Sequence, residues 1–413
     1  MPLHTTRPPR SAGYTPASDS APPLPTPVGP LAAAERLAFV DALRGVAILG
    51  VLVAYTMWNL GSPPPETWTS AERAVDTVLG ILVDAKFLTM FAFLFGVGTA
   101  QQWRRVESHG WDPTGVHVRR MLFLLAVGIL HAVLLRNGDI LANYAILGLA
   151  LLVVRRWPAR RIVGAAVGLA MVPYAVELAL RAAHWHLAER PVAVPDVSWR
   201  HYWADNLAWL RYWYVTSPWL SWPRILAVML VGVLADHARF LTRLAADRRL
   251  ALRTLAVALP VAIASRAAVA LLPAWWGPGH ASAARDVVLN QTYWISAWSL
   301  AATYVAAFAL LLRRPAWSAR LAWLRAVGRM AFTNYLVQAV LVVPACLALG
   351  LFDAVTPTRG VLLALGVAAI EVPCSVWWLR RHAYGPVEWA WRAVTYGRPK
   401  EDRVIVSAPA DPV

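Results

Sequence analysis

The first long apolar stretch of the sequence, FVDALRGVAILGVLVAY at residues 39–55, begins with two opposite charges. Asp41 and Arg44 are three residues apart, so they share one face of a helix, and Tyr55 continues that face farther along. In hydrocarbon an ionisable side chain costs at least about 2.5–3.5 kcal/mol on insertion scales, which makes each one a candidate for function. Either the two charges neutralise each other near a membrane surface, or Arg44 offers its planar donors to a phosphate or carboxylate.

A second apolar stretch, LVDAKFLTMFAFLFGVGTA, contains Asp84 and Lys86. Their side chains are two positions apart and point to different sides of a helix, so they do not form one local ion pair. Lys86 is the single lysine before Lys400 in a chain that otherwise uses arginine. We expect both charged residues to contribute to substrate binding, and we expect Gly96 and Gly98 to let another helix approach closely.

His131 and Asp139 lie on either side of a predicted tight turn at Asn137 and Gly138. A lone histidine in a membrane helix most often hydrogen-bonds to a neighbouring helix. Here a carboxylate can reach the imidazole across the turn, and the two groups together have the parts of a general base and its orienting group. We therefore predict that His131 and Asp139 are catalytic.

Two amides lie on one face of a later apolar stretch, GRMAFTNYLVQAVLVVP, at Asn334 and Gln338. Amides in a membrane helix usually bridge to other helices, although they also supply donors for a developing oxyanion. Glu371 could accept from either amide, but the sequence does not determine a pairing. We count Asn334 and Gln338 among the expected substrate-binding residues.

The elements that position these residues follow from composition. The chain has 413 residues, 58% of them hydrophobic and 15% charged, with a mean hydropathy of +0.49. Its net charge of +16 comes from arginines in the gaps between apolar runs, which argues against a nucleic-acid partner and for a lipid bilayer. We predict an all-α, multi-pass membrane bundle of ten helices at residues 39–59, 76–101, 119–136, 139–155, 162–183, 223–239, 254–273, 292–312, 329–350 and 359–379.

Lysine and arginine counts set the orientation of these helices. One set of alternate gaps holds 24 basic residues and the other holds seven. The richer set is expected on the cytoplasmic side, so both termini face the cytosol, in agreement with the bacterial plasma or inner membrane as location. The predicted parts are a disordered proline-rich tail at 1–36, a membrane domain at 37–380 and a basic aromatic cytosolic segment at 381–413.

The long outer gap at 184–222 is rich in tryptophan and tyrosine. These residues favour the headgroup level of a membrane, so an interfacial helix is expected over residues 199–214. Cys346 and Cys374 lie inside predicted helices, and the histidines of the outer gaps lack metal-site spacing. No metal site is predicted.

Three segments together resemble a known family. VDALRGVAILGVLVAY, the hairpin RRMLFLLAVGILHAVLLRNGDILANYAILGL, and GRMAFTNYLVQAVL followed by GPVEWAWRAVTYGR are similar to the YeiB-like bacterial membrane proteins, whose C-terminal part is domain of unknown function 418. The Asp-x-x-Arg-Gly opening also resembles, more distantly, the transmembrane acyltransferase superfamily. Many of those enzymes carry a histidine near the end of the first span or in the following loop, whereas this chain has Tyr55 and Asn59 there and no histidine between them and His109.

The resemblance to acyltransferases implies transfer of an acyl group from cytosolic acyl-CoA, with no bound cofactor, to a hydroxyl or amine of a small-molecule or glycan acceptor. We expect Arg44 and Lys86 to hold the donor and His131 to deprotonate the acceptor within one shared cavity. The alternative is a transporter of a small or amphiphilic solute, since buried charges serve a permeation path equally well. A scaffold or sensor is favoured if the polar residues are paired among themselves with no accessible cavity.

Overall fold

The computed structural model describes residues 38–396, apart from Asn59, Gly61, 136–138, His184, His186, 189–198, 277–282 and Asp353. The predicted tail 1–36 and the end of the predicted C-terminal segment, 397–413, lie outside the described residues. The helices are α1 (Ala38–Trp58), α2 (Ser70–Leu82), α3 (Lys86–Ser108), α4 (Pro113–Leu134), α5 (Leu141–Val154), α6 (Ala159–Ala182), α7 (Trp199–Leu220), α8 (Trp222–His237), α9 (Phe240–Ala246), α10 (Arg248–Trp276), α11 (Ala283–Leu312), α12 (Pro315–Arg320), α13 (Ala322–Arg329), α14 (Ala331–Ala348), α15 (Pro357–Leu379) and α16 (Pro386–Tyr396).

The predicted all-α, multi-pass membrane bundle is confirmed. Across the described ranges, eight helical segments are long and apolar enough to cross a membrane. The bent pair of α7 and α8 and the shorter apolar helix α5 correspond to the other two predicted spans. Many apolar side chains point outward rather than into the bundle, such as Val153 and Leu271, which are 67% and 66% exposed. Lipid tails are the solvent that such a surface fits.

The predicted span 76–101 is interrupted in the structure. α2 ends at Leu82 and α3 begins at Lys86, with Ala85 between them in the left-handed region at φ 59°. α2 starts with a capping box, in which Thr69 and Glu72 bond to each other's backbone N–H. Lys86 therefore lies in the first turn of α3, inside a candidate membrane span that runs from Ser70 to Ser108.

A helix over 199–214 is confirmed, and it continues as α7 to Leu220 before a bend of 58° into α8. α7 covers the last turn of α4. Asn206 donates to the carbonyls of Ala132 and Val133, and Trp203 donates to that of Leu134. The otherwise unsatisfied carbonyls at the end of α4 are thus bonded by side chains of another helix.

Glycines bring the backbones of the central helices into contact. A Cβ on Gly328 would lie 1.8 Å from the Asp41 carbonyl oxygen, and a Cβ on Gly96 would lie 2.1 Å from the Met229 carbonyl oxygen. α1 is thereby pressed against α13, and α3 against α8, as small-residue packing in membranes allows. The expectation for Gly96 is confirmed. Gly98 instead lies beside Arg44, whose Nη2 is 3.4 Å from its would-be Cβ.

Candidate functional site

A cavity of about 840 Å³ opens among the ends of α1, α3, α4, α8, α14 and α16. These are the ends that the charge distribution assigns to the cytosol. Phe91, Leu94, Phe95 and Phe332 give the cavity an apolar part. Its charged residues are seven arginines and three acids, namely Arg44, Arg104, Arg105, Arg120, Arg239, Arg329, Arg392, Asp41, Asp236 and Glu388.

Two of the arginines are paired with carboxylates. Arg44 Nη1 lies 3.1 Å from Asp41 Oδ1, so the two charges at the start of α1 do form a pair. Arg104 Nη2 lies 3.1 Å from Oδ1 of Asp236, across 132 residues of sequence. Both carboxylates are buried, whereas the arginine side chains stay 33% and 48% exposed. The guanidinium groups are therefore accessible to a ligand in the cavity.

Arg120 lies among neutral groups and other cations. It donates to the Gln102 amide oxygen at 2.8 Å, and its guanidinium carbon is 4.5 Å from the Trp391 ring centroid and 5.9 Å from that of Phe95. Arg44 and Arg392 are close enough to repel it electrostatically. Since the cavity lining has four more arginines than carboxylates, its electrostatic field favours an anion.

α16, in the predicted basic aromatic segment, forms one wall of this cavity. Glu388 accepts from the N–H groups of Phe332 and Thr333 at 2.7 and 3.1 Å and from the Thr333 hydroxyl at 2.6 Å, so it caps the start of α14. Burial raises the pKa of Glu388, against the effect of these hydrogen bonds. Trp391 donates to the Arg120 carbonyl at 2.9 Å. These contacts fix α16 against both α14 and α4.

The predicted contact between His131 and Asp139 is confirmed. Nδ1 of His131 lies 3.0 Å from Oδ1 of Asp139, and both side chains are almost fully buried. Asp139 also accepts from the Tyr335 hydroxyl at 3.2 Å and from the Ala142 N–H at 2.8 Å. A carboxylate at Nδ1 favours the tautomer with the proton there, so Nε2 carries the lone pair. Nε2 is buried and has no hydrogen-bond partner in the described part of the chain.

The expected single cavity joining Arg44 to His131 is not formed. His131 is not among the lining residues, and it lies about eleven residues beyond Arg120 on α4, or roughly 16 Å along the axis. The separating layer is thin, however. Phe332 lines the cavity and Tyr335 bonds to Asp139, and these two residues are three positions apart on α14. Along α14, one turn therefore separates a residue that lines the cavity from a residue that bonds to Asp139.

Lys86 and Asp84, the predicted residues of the second apolar stretch, do not line the arginine cavity. Lys86 is 1% exposed, donates to the Gly80 carbonyl at 2.7 Å and lies 5.3 Å from the Tyr293 ring centroid. Asp84 accepts from the Tyr293 hydroxyl. Lys86 precedes Gly98, the neighbour of Arg44, by twelve residues on α3, or roughly 18 Å. The structure therefore does not bring Lys86 and Arg44 together, and Lys86 is not among the residues that line the arginine cavity.

The remaining predicted residues are buried in contacts between helices. Gln338 donates to both oxygens of Glu371, at 3.0 and 3.2 Å, which determines the pairing that the sequence left open. Asn334 donates to Ser375 at 3.0 Å. Tyr55 is 2% exposed within an apolar cluster. None of these three predicted residues lines the large cavity, and the two amides bridge helices, which was the plainer of the two expectations.

Sequence reasoning missed most of the arginine cavity. Its arginines sit next to the ends of apolar runs, where they were interpreted only as signals of orientation. Arg120 carried one further signal, because it lies just inside a predicted span. Among the described residues, no group of three or more His, Cys, Asp or Glu side chains is placed to hold a metal ion.

Comparisons with known proteins agree with the family resemblance. Residues 235–398 match the model of the family described as protein of unknown function (DUF418). The chain is 28% identical to the uncharacterized protein YxaH of Bacillus subtilis (strain 168) over 396 residues, covering 88% of this chain and 94% of the relative. It is 27% identical to the uncharacterized protein YeiB of Escherichia coli (strain K12) over 399 residues, covering 87% of this chain and 96% of the relative. No solved structure matches the chain.

The resemblance to the YeiB-like bacterial membrane proteins is therefore confirmed over most of the chain. Both relatives are described as uncharacterized, so their names assign no activity. Any function of this chain has to be argued from its own residues.

Proposed function

We propose that this YeiB-like membrane protein is an acyltransferase of the bacterial plasma membrane that takes its acyl group from cytosolic acyl-CoA. The observation that carries the proposal is the arginine-lined cavity at the cytosolic end of the bundle. Acyl-CoA bears several phosphates next to a long, thin arm that ends in an apolar group. Guanidinium groups bind phosphate oxygens in pairs, and the phenylalanines deeper in the cavity suit the acyl end.

Arg44, Arg120 and Arg104 bind the phosphates in this proposal. Each has a guanidinium at the cavity wall, and Arg120 has no carboxylate partner among its described contacts. Asp41 and Asp236 hold two of these arginines in place. Their negative charges also moderate the cavity's field, so that a multiply charged ligand can leave after reaction.

His131 is the proposed general base. The oxygen or nitrogen of the acceptor attacks the thioester carbonyl carbon while Nε2 of His131 takes the acceptor's proton. The carbon–sulfur bond then breaks, and the CoA thiolate leaves with that proton. Asp139 holds the imidazole with its lone pair on Nε2, and none of the described residues hydrogen-bonds to that nitrogen. The layer between cavity and imidazole has to open for this step, and we place the opening at Phe332 and Tyr335 of α14.

Binding and turnover test the proposal separately. Acetyl-CoA or a long-chain acyl-CoA should raise the melting temperature of the purified protein in detergent, and Arg120→Met should abolish the rise. His131→Gln should retain the rise but lose CoA release at least a hundredfold, within the range of general base catalysis. His117→Gln is the matched control, because His117 is a buried histidine of the same helix whose Nε2 bonds to the Gly148 carbonyl. Equal loss of turnover in both variants would contradict the role of His131.

The thin layer between two polar sites also favours a second candidate, transport of a phosphorylated or otherwise anionic solute. A carrier open to the cytosol has a cavity on that side and a closed layer beyond it. Uptake of such a solute by proteoliposomes, with no CoA release from any acyl-CoA, would support transport and rule out the acyltransferase.

A further inference from the structure

Arg224 is a buried cation at the opposite end of the bundle from the large cavity. It lies in the first turn of α8 and is 6% exposed. Its guanidinium carbon is 5.0 Å from the ring centroid of Tyr174 on α6 and 5.1 Å from that of Trp294 on α11. Asp236, which lines the cavity, follows twelve residues later on α8, or roughly 18 Å away. The two sites are therefore distinct.

The guanidinium also interacts with the Tyr174 hydroxyl, but two of its nitrogens, Nε and Nη2, are buried with no hydrogen-bond partner among the described residues. Arginine stays protonated in proteins, so the group carries a full charge that the two rings offset only in part. The nearby carboxylate of Glu177, one turn from Tyr174 on α6, is already bound by Arg181 at 3.1 Å and by Asn290 at 2.6 Å. A buried charge without a counter-charge among the described residues is costly, so a bound anion is the expected partner.

The unpartnered atoms also have the geometry of a binding group. Nε and Nη2 form one edge of the guanidinium, with two nearly parallel N–H bonds that match two oxygens of one phosphate or carboxylate. Oxyanion recognition explains both the burial of this charge and its two unpartnered nitrogens.

We propose that Arg224, between Tyr174 and Trp294, binds an oxyanion of the phosphate type that enters from the outer half of the bundle. The phosphate can come from the headgroup of an anionic lipid or from a soluble phosphate. The inference goes beyond the proposed function, since it concerns a second site and does not require acyl-CoA in the first.

Thermal unfolding of the full chain in detergent tests this site. The parent is Arg120→Met, which weakens the cavity, or Arg44→Gln if the first variant does not fold. At constant ionic strength, replacing chloride by inorganic phosphate should raise the parent's melting temperature. Adding Arg224→Met should abolish that rise, whereas adding Arg211→Met, at an exposed arginine of α7, should leave it unchanged. In a second arm, phosphatidylglycerol replaces phosphate, with phosphatidylcholine as its control.

The outcomes separate ligand binding from a structural role. Arg224→Met should keep or raise the melting temperature in chloride, since it removes an unpaired buried charge. If phosphatidylglycerol raises the melting temperature, inorganic phosphate does not, and Arg224→Met loses the rise, the ligand is a lipid headgroup. If both ligands produce a rise that depends on Arg224, the site recognises the phosphate group itself. If Arg224→Met lowers the melting temperature in chloride and leaves both rises intact, Arg224 only braces the two rings and the proposal is wrong. The proposal is equally wrong if neither ligand produces a rise that depends on Arg224.

Discussion

Removing the Asp41 carboxylate should tighten the binding of CoA rather than weaken it. In the structure Oδ1 of Asp41 accepts a hydrogen bond from Nη1 of Arg44 at 3.1 Å, and Asp41 lies in the wall of the arginine cavity. Asp41→Asn takes a negative charge away from the phosphate site and releases a donor of Arg44. Arg44→Gln does the reverse, because it removes a phosphate ligand and leaves Asp41 buried without its partner.

The magnitudes follow from the charges. A hydrogen bond to a charged group contributes about 1.5–3 kcal/mol, so Arg44→Gln should raise the Kd for CoA by roughly 10- to 150-fold. Two unit charges about 8 Å apart interact by about 2 kcal/mol at an effective dielectric constant of about 20, and salt screening reduces this to about 1 kcal/mol. Asp41→Asn should therefore lower the Kd by roughly fivefold. The double variant should bind less tightly than Asp41→Asn alone.

Isothermal titration of the detergent-solubilised protein with CoA measures these constants, at low and at physiological salt. Asp112→Asn is the matched control. Asp112 pairs with Arg155 at 2.6 Å, and this hydrogen bond lowers the pKa of Asp112, but the pair lies outside the cavity. The affinity of the Asp112→Asn variant for CoA should equal that of the wild type. Weaker binding in Asp41→Asn, with a melting temperature like that of the wild type, would refute the assignment of the cavity to an anion.

Three further predictions concern stability, measured as melting temperature in detergent. Gly328→Ala should destabilise the protein by at least about 1–3 kcal/mol, since its Cβ would meet the Asp41 carbonyl oxygen at 1.8 Å, whereas Gly164→Ala meets no atom within 4 Å and should be neutral. Because burial raises the pKa of Glu388 above 4.5, stability should fall as the pH rises through the raised value. Glu388→Gln should flatten that dependence, and an unchanged pH profile would contradict the burial argument. Asn206→Leu should cost about 1–3 kcal/mol, because two carbonyls at the end of α4 lose their donor, and an unchanged melting temperature would show that α7 does not brace α4.

Local sequence spacing predicted the parts of the site that depend on one helix or one turn. Asp41 and Arg44 pair because positions three apart share a helix face, and His131 meets Asp139 because only eight positions separate them, at the end of α4 and just before α5. Length and hydropathy predicted the spans for the same reason, since a helix satisfies its own backbone in lipid. These features require no knowledge of how distant segments pack.

Contacts between distant segments could not be predicted in this way. Arg104 pairs with Asp236, which lies 132 residues later in the sequence. Glu388 caps a helix that begins 57 residues before it, at Ala331. The break before Lys86 was missed because the apolar composition continues through it. The left-handed backbone at Ala85 could not be predicted either, since no glycine, the residue that usually adopts this conformation, stands at that position. The cavity arginines were missed because the positive-inside rule accounts for their position without reference to any ligand.

The spacing of Phe332 and Tyr335 determines how the two polar sites can communicate. The two residues lie one turn apart on α14, so a shift of this helix that withdraws Phe332 from the cavity also displaces the Tyr335 hydroxyl from Asp139. Asp139 then keeps His131 and the Ala142 N–H as its partners, which still hold the imidazole in the tautomer that leaves Nε2 free to accept a proton. In the proposed acyltransferase, opening of the cavity would therefore also expose the base. An enzyme gains from such coupling, because the base would stay sealed from water until a donor occupies the cavity.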